Sequence, residues 1–271
     1  MTRAYTIVVT GGRTGLGRTQ VAANLAIALQ QQDRSTVLVD LDIGQDNLRS
    51  VLGISSPRSL AEALGGRARL QDLLAEGPGG IAVLRGGAEL EQVPALTSAQ
   101  TRNLLSELVR MESLFNFIVL DAGIGSSLSA LTFVRSAHEA LTLTAPDSDD
   151  MAAAYSVLKM VSRRSPGTSI SLCVNFAASE NDAIAAERLV GVARSFLRAE
   201  LRVAGVLRED AAVALAERAE RPVLLTYPTC MFARDIVKLS SFWTRQRAAE
   251  PALGLAERLA VELSPSLSAV S

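Results

Sequence analysis

The chain has 271 residues, 48% of them hydrophobic and 20% charged, so it can bury the core of one large domain. Its net charge at pH 7 is −1 and its pI about 6.0, so we expect no direct binding to nucleic acid. The sequence shows no signal-peptide core and no long uncharged apolar run, and we expect a cytoplasmic protein. A single histidine, His138, and two distant cysteines, Cys173 and Cys230, argue against histidine-assisted nucleophilic catalysis and cysteine metal sites. We expect His138 at the surface and both thiols reduced and buried.

Apolar, β-branched runs alternate with helical patterns along nearly the whole chain. The predicted strands are 5–10, 35–40, 81–84, 115–121, 140–144, 169–175, 201–207 and 222–225. The predicted helices are 20–31, a short stretch after Gly44, one opened by a capping box at 59–62, and 97–111, 148–163, 181–198 and 229–247. This regular β-then-α order predicts an α/β fold with a single doubly wound, mostly parallel sheet and helices on both faces.

A glycine-rich segment follows the first predicted strand. It reads Gly11-Gly12-Arg13-Thr14-Gly15-Leu16-Gly17-Arg18-Thr19. From Gly12 to Thr19 it has the spacing G-x-x-x-x-G-K-[ST], and it lies between a strand and a helix, where this pattern cradles phosphates. Backbone N–H groups and the helix N-terminus would surround phosphate oxygens, and the Thr19 hydroxyl would meet Mg²⁺. Arg18 occupies the position of the lysine in this pattern.

Carboxylates follow two of the predicted strands. Asp40 and Asp42 come at the end of 35–40, and Asp121 ends 115–121. Ligands of parallel sheets bind beyond the carboxyl ends of the strands, which is also where the glycine segment begins. Oxygen ligands suit Mg²⁺, and a second carboxylate could orient an attacking water. Asp40 alone is better explained as a turn cap, whereas three carboxylates beside one phosphate loop favour metal binding and catalysis.

These motifs resemble those of the MinD/FlhG (FleN) family of deviant Walker A P-loop ATPases of the SIMIBI class, whose loop reads K-G-G-x-G-K-[ST]. The phosphate loop of this chain looks like a degenerate form of that loop. Further segments similar to the family are 21–29, 39–44, 47–48, 77–87, 174–175, 206–213 and 221–228. The resemblance covers about residues 3–245 and is nearer to flagellar FlhG than to cell-division MinD. It implies a P-loop nucleotide-binding domain over 1–250, followed by a C-terminal amphipathic helix and frayed tail over 251–271.

The resemblance implies a role for each site residue. Arg13 matches the signature lysine that reaches across an ATP-sandwiched dimer, and Arg18 matches the lysine on the β- and γ-phosphates. Asp42 matches the carboxylate that activates water, so Asp42, Arg13 and Arg18 are the candidate catalytic residues. Thr19, Asp42 and Asp121 would hold Mg²⁺, with Asp121 acting through water. ATP or ADP would contact Gly12, Thr14, Gly15, Leu16, Gly17, Arg18, Thr19, Gln20 and, near the adenine, Asn175.

The departures from the family pattern concern the same loop. Arginine replaces both functional lysines at Arg13 and Arg18, Thr14 replaces a glycine, and Gln20 replaces a second hydroxyl residue. Guanidinium is planar, longer and more demanding in geometry than the compact ammonium of lysine. A misplaced positive charge at the transferring phosphoryl group can cost about 10²–10³ in rate. We therefore expect weak or absent hydrolysis, and whether nucleotide binds stays open.

The C-terminal segment has one apolar helical stripe in the place where the family has a membrane-targeting helix. Its members are Ala252, Leu255, Ala256, Leu259, Ala260 and Leu263. The other face offers Glu257, Arg258 and Glu262 and no bulky aromatic, whereas interfacial helices carry many Lys and Arg residues. Docking on the protein's own core or on a partner is therefore favoured over peripheral contact at the inner membrane. The chain begins almost directly at its first strand, so we do not expect the GTPase-activating N-terminal segment of FlhG proteins.

Three functions are compatible with these residues. The first is a nucleotide-dependent regulator of flagellar number, placement or gene expression, acting through an ATP-linked homodimer and a protein partner such as a flagellar regulator or transcription activator. The second is a non-enzymatic pseudo-ATPase binding module that restrains a partner protein. The third is a cellulose-secretion accessory protein of similar fold.

Overall fold

The computed structural model describes residues 3–42, 47–54, 58–86, 90, 93, 95–124, 128–164, 168–197, 201–246 and 251–264. The strands are β1 (Tyr5–Gly11), β2 (Thr36–Asp40), β3 (Ala75–Glu76), β4 (Ala82–Arg85), β5 (Phe117–Ile124), β6 (Glu139–Thr144), β7 (Ser169–Ala177) and β8 (Leu201–Arg208). Within the described residues they form one eight-stranded sheet in the order β3-β4-β2-β5-β1-β6-β7-β8. The short β3 runs antiparallel to β4, and the other neighbouring strands are parallel. The predicted α/β fold is confirmed.

Helices connect the strands. They are α1 (Arg18–Gln30), α2 (Asn47–Leu52), α3 (Leu60–Leu64), α4 (Leu70–Leu73), α5 (Ser98–Leu114), α6 (Leu128–Ser136), α7 (Ser148–Arg164), α8 (Ala183–Leu197), α9 (Ala211–Arg218), α10 (Val223–Thr226), α11 (Met231–Gln246) and α12 (Leu255–Leu263). The predicted capping box before α3 is present, because the Ser59 N–H donates to Glu62 Oε1 at 3.2 Å. β3, α4, α6 and α9 have no counterpart among the predicted elements.

The predicted strand at 222–225 is wrong, because this segment forms the one-turn helix α10. Pro222 stands at its N-cap, and the Leu224 N–H donates to Asn24 Oδ1 of α1 at 2.9 Å. Val223 and Leu224 are buried in the core beside α1. A short apolar run buries its side chains equally well as a strand or as a helical turn, and here the contact with α1 decided the outcome.

Alternate side chains of the central strands enter two separate cores, one on each face of the sheet. In β1, Val8 belongs to the core beneath α3–α8 and α12, whereas Ile7 and Val9 belong to the core beneath α1, α2 and α9–α11. Strands that are buried on both faces read as continuous apolar runs, as β1, β2 and β5 do. The sheet is therefore doubly wound, as predicted.

The strand order brings the glycine segment and the acidic strand ends together. β5 lies between β1 and β2, and Asp121 pairs in register with Val9 of β1 and with Asp40 of β2. All these strands are parallel, so their carboxyl ends meet at one edge of the sheet. The functional side chains predicted from separate parts of the sequence are thereby placed side by side.

Burial of the histidine and of one cysteine differs from the prediction. His138 is buried, not at the surface: its Nδ1 accepts a hydrogen bond from the Thr6 N–H at 2.9 Å, and Nε2 lies 2.8 Å from Leu253 O. Because Nδ1 accepts, Nε2 carries the proton that is donated to Leu253. The thiols of Cys173 and Cys230 are free, and Cys173 is buried as predicted, whereas Cys230 is only half-buried. His138 thus ties the segment before α12 to β1.

Helix α12 packs its apolar stripe on the protein itself. Leu255, Ala256 and Leu259 are buried in the core shared with α5 and α6. The Arg258 guanidinium donates to Ser136 O and Ala137 O, each at 2.8 Å, at the C-terminal end of α6. This is the docking on the core that the sequence favoured. None of the helices in the described ranges combines the length and apolarity needed to cross a bilayer.

We expect Arg258→Ala to lower the free energy of unfolding by about 1–2 kcal/mol, because it leaves the α6 carbonyls without a charged donor. Urea unfolding followed by circular dichroism measures this change. The exposed Arg245 of α11 provides the matched control, and Arg245→Ala should change stability by less than about 0.5 kcal/mol. Equal effects of the two substitutions would contradict the role given to Arg258.

Candidate functional site

A cavity of about 770 Å³ opens at the carboxyl edge of the sheet. It is lined by 14–20, which is most of the glycine loop and the start of α1, and by Asp42 and Asn175. Gly12, Arg13 and Asp121 do not line it. The first two lie at the beginning of the loop, and Asp121 lies behind Thr19. The structure therefore brings most of the predicted nucleotide-contacting residues to one cavity of the size that small-molecule ligands occupy.

The loop adopts a left-handed conformation, which favours glycine, at two positions. Gly15 and Gly17 have φ of +80° and +73°, and Gly17 is the N-cap of α1. A Cβ on Gly12 would lie 2.5 Å from the carbonyl carbon of Ala153 in α7, so the loop packs directly on that helix. These glycines allow the backbone to curve around the α1 N-terminus, where its N–H groups can face an anion.

Arg18 is folded inward beneath the loop. Its side chain is only 8% exposed, Nη1 donates to Arg13 O at 2.6 Å, and Nη2 lies 3.6 Å from Asp42 Oδ2. Nε is buried and makes no hydrogen bond with any described residue. In this position the guanidinium is bound to the loop and to a carboxylate, so it is not available as a free phosphate ligand. A phosphate at the loop would have to replace both contacts.

Arg13 points away from the cavity. Its guanidinium lies 3.1 Å from Asp150 Oδ1 in the first turn of α7, and its side chain is 53% exposed. An ion pair with one exposed member contributes little to stability, so little free energy opposes its replacement by another partner. The family resemblance implies that Arg13 reaches the nucleotide of a second copy. In this structure Arg13 is exposed and forms an ion pair within its own chain.

Thr19 and Asp121 form the part of the site that fits a divalent cation. The Thr19 hydroxyl donates to Asp121 Oδ2 at 2.6 Å, and Asp121 Oδ1 is buried without a hydrogen bond in the described part of the chain. A hydroxyl and a carboxylate with an unused oxygen match the hard oxygen ligands of Mg²⁺. Thr19, Asp121 and the neighbouring Asp42 could therefore hold Mg²⁺, directly or through water.

The acidic strand ends have raised pKa values because they are buried together. Burial, and then the neighbouring Asp121, raise the pKa of Asp40 to about 8. Burial raises the pKa of Asp121 to about 6, against the opposing effects of the Thr19 hydrogen bond and the Arg18 charge. At neutral pH without a metal ion, Asp40 is therefore protonated, which relieves the repulsion between the paired strand ends. Asp40 acts as a neutral support of the site.

Asp42 is the most accessible of the three carboxylates, with 29% of its side chain exposed. Its backbone N–H donates to Asp40 Oδ1 at 3.0 Å, which fixes the turn after β2. A Cβ on Gly123, which has φ of +60°, would lie 2.8 Å from Asp42 Oδ1, so a glycine is needed where β5 passes this carboxylate. The ion pair with Arg18 occupies the carboxylate that the resemblance assigns to water activation.

Asn175 and Gln20 flank the loop at the start of α1. Asn175 is buried, and its Nδ2 donates to Leu16 O at 2.9 Å, so it braces the loop. Gln20 is buried and lines the cavity, and its Nε2 makes no hydrogen bond with any residue that the structure describes. A buried amide donor without a partner beside a helix N-terminus is suited to an anionic ligand oxygen.

Other lining residues were absent from the predicted site. They are Ser50, Val51, Phe176, Arg208, Glu209, Asp210, Ala211, Val213, Ala214, Glu217 and Phe232. Two segments that resemble the family could have pointed to these residues from the sequence. Segment 174–175 directly precedes Phe176, and segment 206–213 contains five of the lining residues. Asp210 caps α9 through the Ala212 N–H and accepts a hydrogen bond from the Met231 N–H at 2.8 Å. These residues come from α2, β7, β8, α9 and α11 and from the segment between β8 and α9, so this part of the cavity depends on the packing of distant elements.

We expect the stability of the Mg²⁺-free protein to fall as pH rises from about 4 to about 8, because the folded state holds the Asp40 proton that the unfolded chain releases near pH 4. The stabilisation is complete below pH 4 and lost as pH passes 8. Asparagine at position 40 stays neutral, so Asp40→Asn should flatten this decline. At pH 8.5 the free energy of unfolding of the variant should exceed that of the wild type by about 1 kcal/mol or more.

Urea unfolding in EDTA between pH 4 and 8.5 measures the decline. Asp33, which is exposed and has φ of 58°, offers a control, since asparagine tolerates that conformation. Asp33→Asn should leave the slope against pH unchanged. An Asp40→Asn slope equal to that of the wild type would contradict the assignment.

Comparisons with known proteins show the family to which the chain belongs. Residues 7–224 match the family described as CobQ/CobB/MinD/ParA nucleotide binding domain. The chain is 30% identical to the antiactivator FleN of Pseudomonas aeruginosa over 223 residues, which cover 82% of this chain and 80% of FleN. It is 25% identical to the flagellum site-determining protein YlxH of Helicobacter pylori over 236 residues, covering 86% of this chain and 80% of YlxH.

The fold is similar to that of solved structures as well. The septum site-determining protein MinD of Pyrococcus horikoshii, complexed with Mg-ADP, superimposes with a TM-score of 0.74 at 23% identity, covering 92% of this chain and all of that one. The family match spans most of the chain, from β1 to α10, and includes the glycine loop and the three acidic strand ends. The chain therefore belongs to the CobQ/CobB/MinD/ParA nucleotide-binding family.

Proposed function

We propose that this chain is a nucleotide-dependent regulator of flagellar number, placement or gene expression. It binds ATP or ADP with Mg²⁺, pairs with a second copy around ATP, and acts by engaging a protein partner. Its hydrolysis of ATP is weak or absent. The similarity to an antiactivator and to a flagellum site-determining protein supports the flagellar role.

The cavity between the glycine loop and the acidic strand ends is the observation that carries nucleotide binding. The loop keeps the left-handed glycines Gly15 and Gly17 at the N-terminus of α1, and Thr19 stays beside Asp121. A structural neighbour, the MinD of Pyrococcus horikoshii, is complexed with Mg-ADP, which supports the same ligand class here. The fit of the Thr19 and Asp121 oxygens to Mg²⁺ supports the metal.

The charges at the cavity support a requirement for Mg²⁺. The two arginines among the described lining residues are both paired, Arg18 with Asp42 and Arg208 with Asp235, the latter at 2.7 Å. Acidic side chains also line the cavity, so its described residues provide no surplus of positive charge for a triphosphate. A nucleotide should therefore bind as its Mg²⁺ complex and lose affinity in EDTA.

The position of Arg18 supports slow hydrolysis. The guanidinium contacts Arg13 O and Asp42, so it competes with phosphate for the loop and occupies the carboxylate that would orient water. An ammonium group is smaller and makes no planar fork of contacts. Bound nucleotide would then act as a structural signal. If Arg18 keeps its present contacts at all times, the chain is instead a pseudo-ATPase binding module that restrains its partner without nucleotide.

Titration of the wild type and of Arg18→Lys with ATP·Mg²⁺, with hydrolysis measured in parallel, tests this proposal. We expect Arg18→Lys to bind more tightly and to hydrolyse ATP about 10²-fold faster, since a correctly placed charge at the phosphoryl group has effects of this size. The same exchange at an exposed arginine, Arg221→Lys, should change neither quantity.

Three outcomes separate the alternatives. Wild-type hydrolysis as fast as that of Arg18→Lys would contradict the interference by the guanidinium. Binding by the variant alone would favour the pseudo-ATPase module. If neither protein binds ATP·Mg²⁺ or ADP·Mg²⁺, the nucleotide-dependent switch is refuted.

We expect ATP·Mg²⁺ to raise the molar mass of the wild type from monomer to dimer, and Arg13→Ala to prevent this. The reason is that Arg13 is exposed and can exchange Asp150 for phosphate oxygens of the partner's nucleotide. Size-exclusion chromatography with light scattering measures the change. Arg34→Ala, at another exposed arginine, is the matched control and should still dimerise. Dimerisation of Arg13→Ala equal to that of the wild type would refute the proposed role of Arg13.

A further inference from the structure

The end of β7 contains a bulge that faces the cavity. β7 and β8 pair in parallel at Val174–Val206 and again at Ala177–Arg208, so three steps along β7 match two steps along β8. The extra residue falls in the stretch that includes Phe176, which has φ of +56°. A bulge re-aims a side chain that regular pairing would place elsewhere, and bulges are frequent next to functional sites.

Phe176 has an unfavourable backbone conformation, and its side chain is not fully buried, so packing does not fully offset the cost of that conformation. A positive φ is rare for bulky residues, and its cost is ordinarily offset by packing or by function. Phe176 is 40% exposed and lines the cavity. Its Cζ lies 3.5 Å from the point that a Cβ on Gly17 would occupy, so the ring lies over the phosphate loop at the N-cap of α1.

The neighbours of Phe176 hold it in this position. On one side, the Asn175 side chain donates to Leu16 O at 2.9 Å and so joins β7 to the loop. On the other side, the Glu209 N–H donates to Ala177 O at 2.9 Å and joins β7 to the segment after β8. These two hydrogen bonds fix the backbone on either side of Phe176 before any ligand arrives.

The surroundings suit a ligand with an anionic end and a planar end. The α1 N-terminus and the glycines of the loop favour phosphate oxygens. Beyond Phe176, the cavity is lined by the apolar side chains of Val213, Ala214 and Phe232 from α9 and α11. Charged residues, Arg208, Glu209, Asp210 and Glu217, line the same wall, so the aromatic and apolar groups form only part of it. An exposed aromatic face beside apolar side chains favours stacking with a planar ring, whereas inorganic phosphate would gain nothing from it.

We propose that Phe176 is a positioning residue that stacks on the base of a nucleotide whose phosphates lie in the glycine loop. The inference rests on the proposed function, and it adds what that function leaves open: how the site distinguishes a nucleotide from inorganic polyphosphate. The phosphates of the nucleotide bind to the loop and Mg²⁺, and the Phe176 ring makes the affinity for the nucleotide depend on its base.

Calorimetric titration with ATP·Mg²⁺ and with inorganic tripolyphosphate·Mg²⁺ tests the proposal, in the wild type and in the Arg18→Lys background. Phe176→Ala should raise the Kd for ATP about tenfold, because removal of one base-stacking aromatic has an effect of this order. The Kd for tripolyphosphate should stay within about twofold, since that ligand has no base. Phe176→Leu, which keeps an apolar side chain without a ring, should behave like Phe176→Ala, and Phe176→Tyr should bind ATP like the parent protein.

Phe196 provides the matched control, since it is 76% exposed on α8 and does not line the cavity. Phe196→Ala should leave both Kd values unchanged. The proposal is overturned, with the proposed function intact, if Phe176→Ala binds ATP as the parent does, or if it weakens ATP and tripolyphosphate equally. Failure of the wild type and of Arg18→Lys to bind ATP would overturn both.

Discussion

Parallel pairing of β5 between β1 and β2 is the constraint on which the candidate site depends. It places Asp121 in register with Asp40 and beside the end of β1, where the glycine loop begins. The strand ends are buried on both faces by helices, so the carboxylates lie in a medium that disfavours charge. The fold accommodates these two carboxyl groups in different ways. The raised pKa of Asp40 keeps that group neutral, and Asp121 accepts a hydrogen bond from Thr19. The same arrangement leaves Asp121 Oδ1 without a hydrogen bond to any described residue, so a cation can bind there.

Arg18 gives the site its particular character. A loop that curves around the α1 N-terminus has donors for an anion, yet the chain places its own guanidinium beneath it. The contacts with Arg13 O and Asp42 satisfy part of that charge internally. Under the proposed function, a nucleotide would have to compete with these contacts, and this competition would link its affinity to the conformation of the loop. Gln20 and Phe176 differ from Arg18 in this respect. The Gln20 Nε2 amide makes no hydrogen bond with any described residue, and the Phe176 ring is partly exposed.

The face of the sheet opposite α1 has a different organisation. Helix α12 closes the core between α5 and α6, and polar contacts hold its N-terminal half. His138 binds the carbonyl of Leu253 before the helix, Glu112 accepts the Ala256 N–H in its first turn, and Arg258 donates to the end of α6. Leu255, Ala256 and Leu259 of the stripe are buried in this way against the protein itself.

Much of this protein could be predicted from sequence because the signals are local. The β-then-α order predicted the doubly wound sheet, and the glycine spacing predicted the turn between β1 and α1, since each depends on residues close together in the chain. The sequence also predicted that Asp40 and Asp121 lie near one edge of the sheet, although β5 continues three residues past Asp121 to Ile124. Where tertiary contacts compete, local patterns failed: 222–225 became a helical turn against α1, and His138 was buried by Thr6 and Leu253. The sequence also did not determine the direction in which a side chain points. The sequence placed Arg18 in the loop, but only the packed structure decided that its guanidinium would turn inward to Asp42, because that choice depends on the burial and charge of groups brought together by the fold.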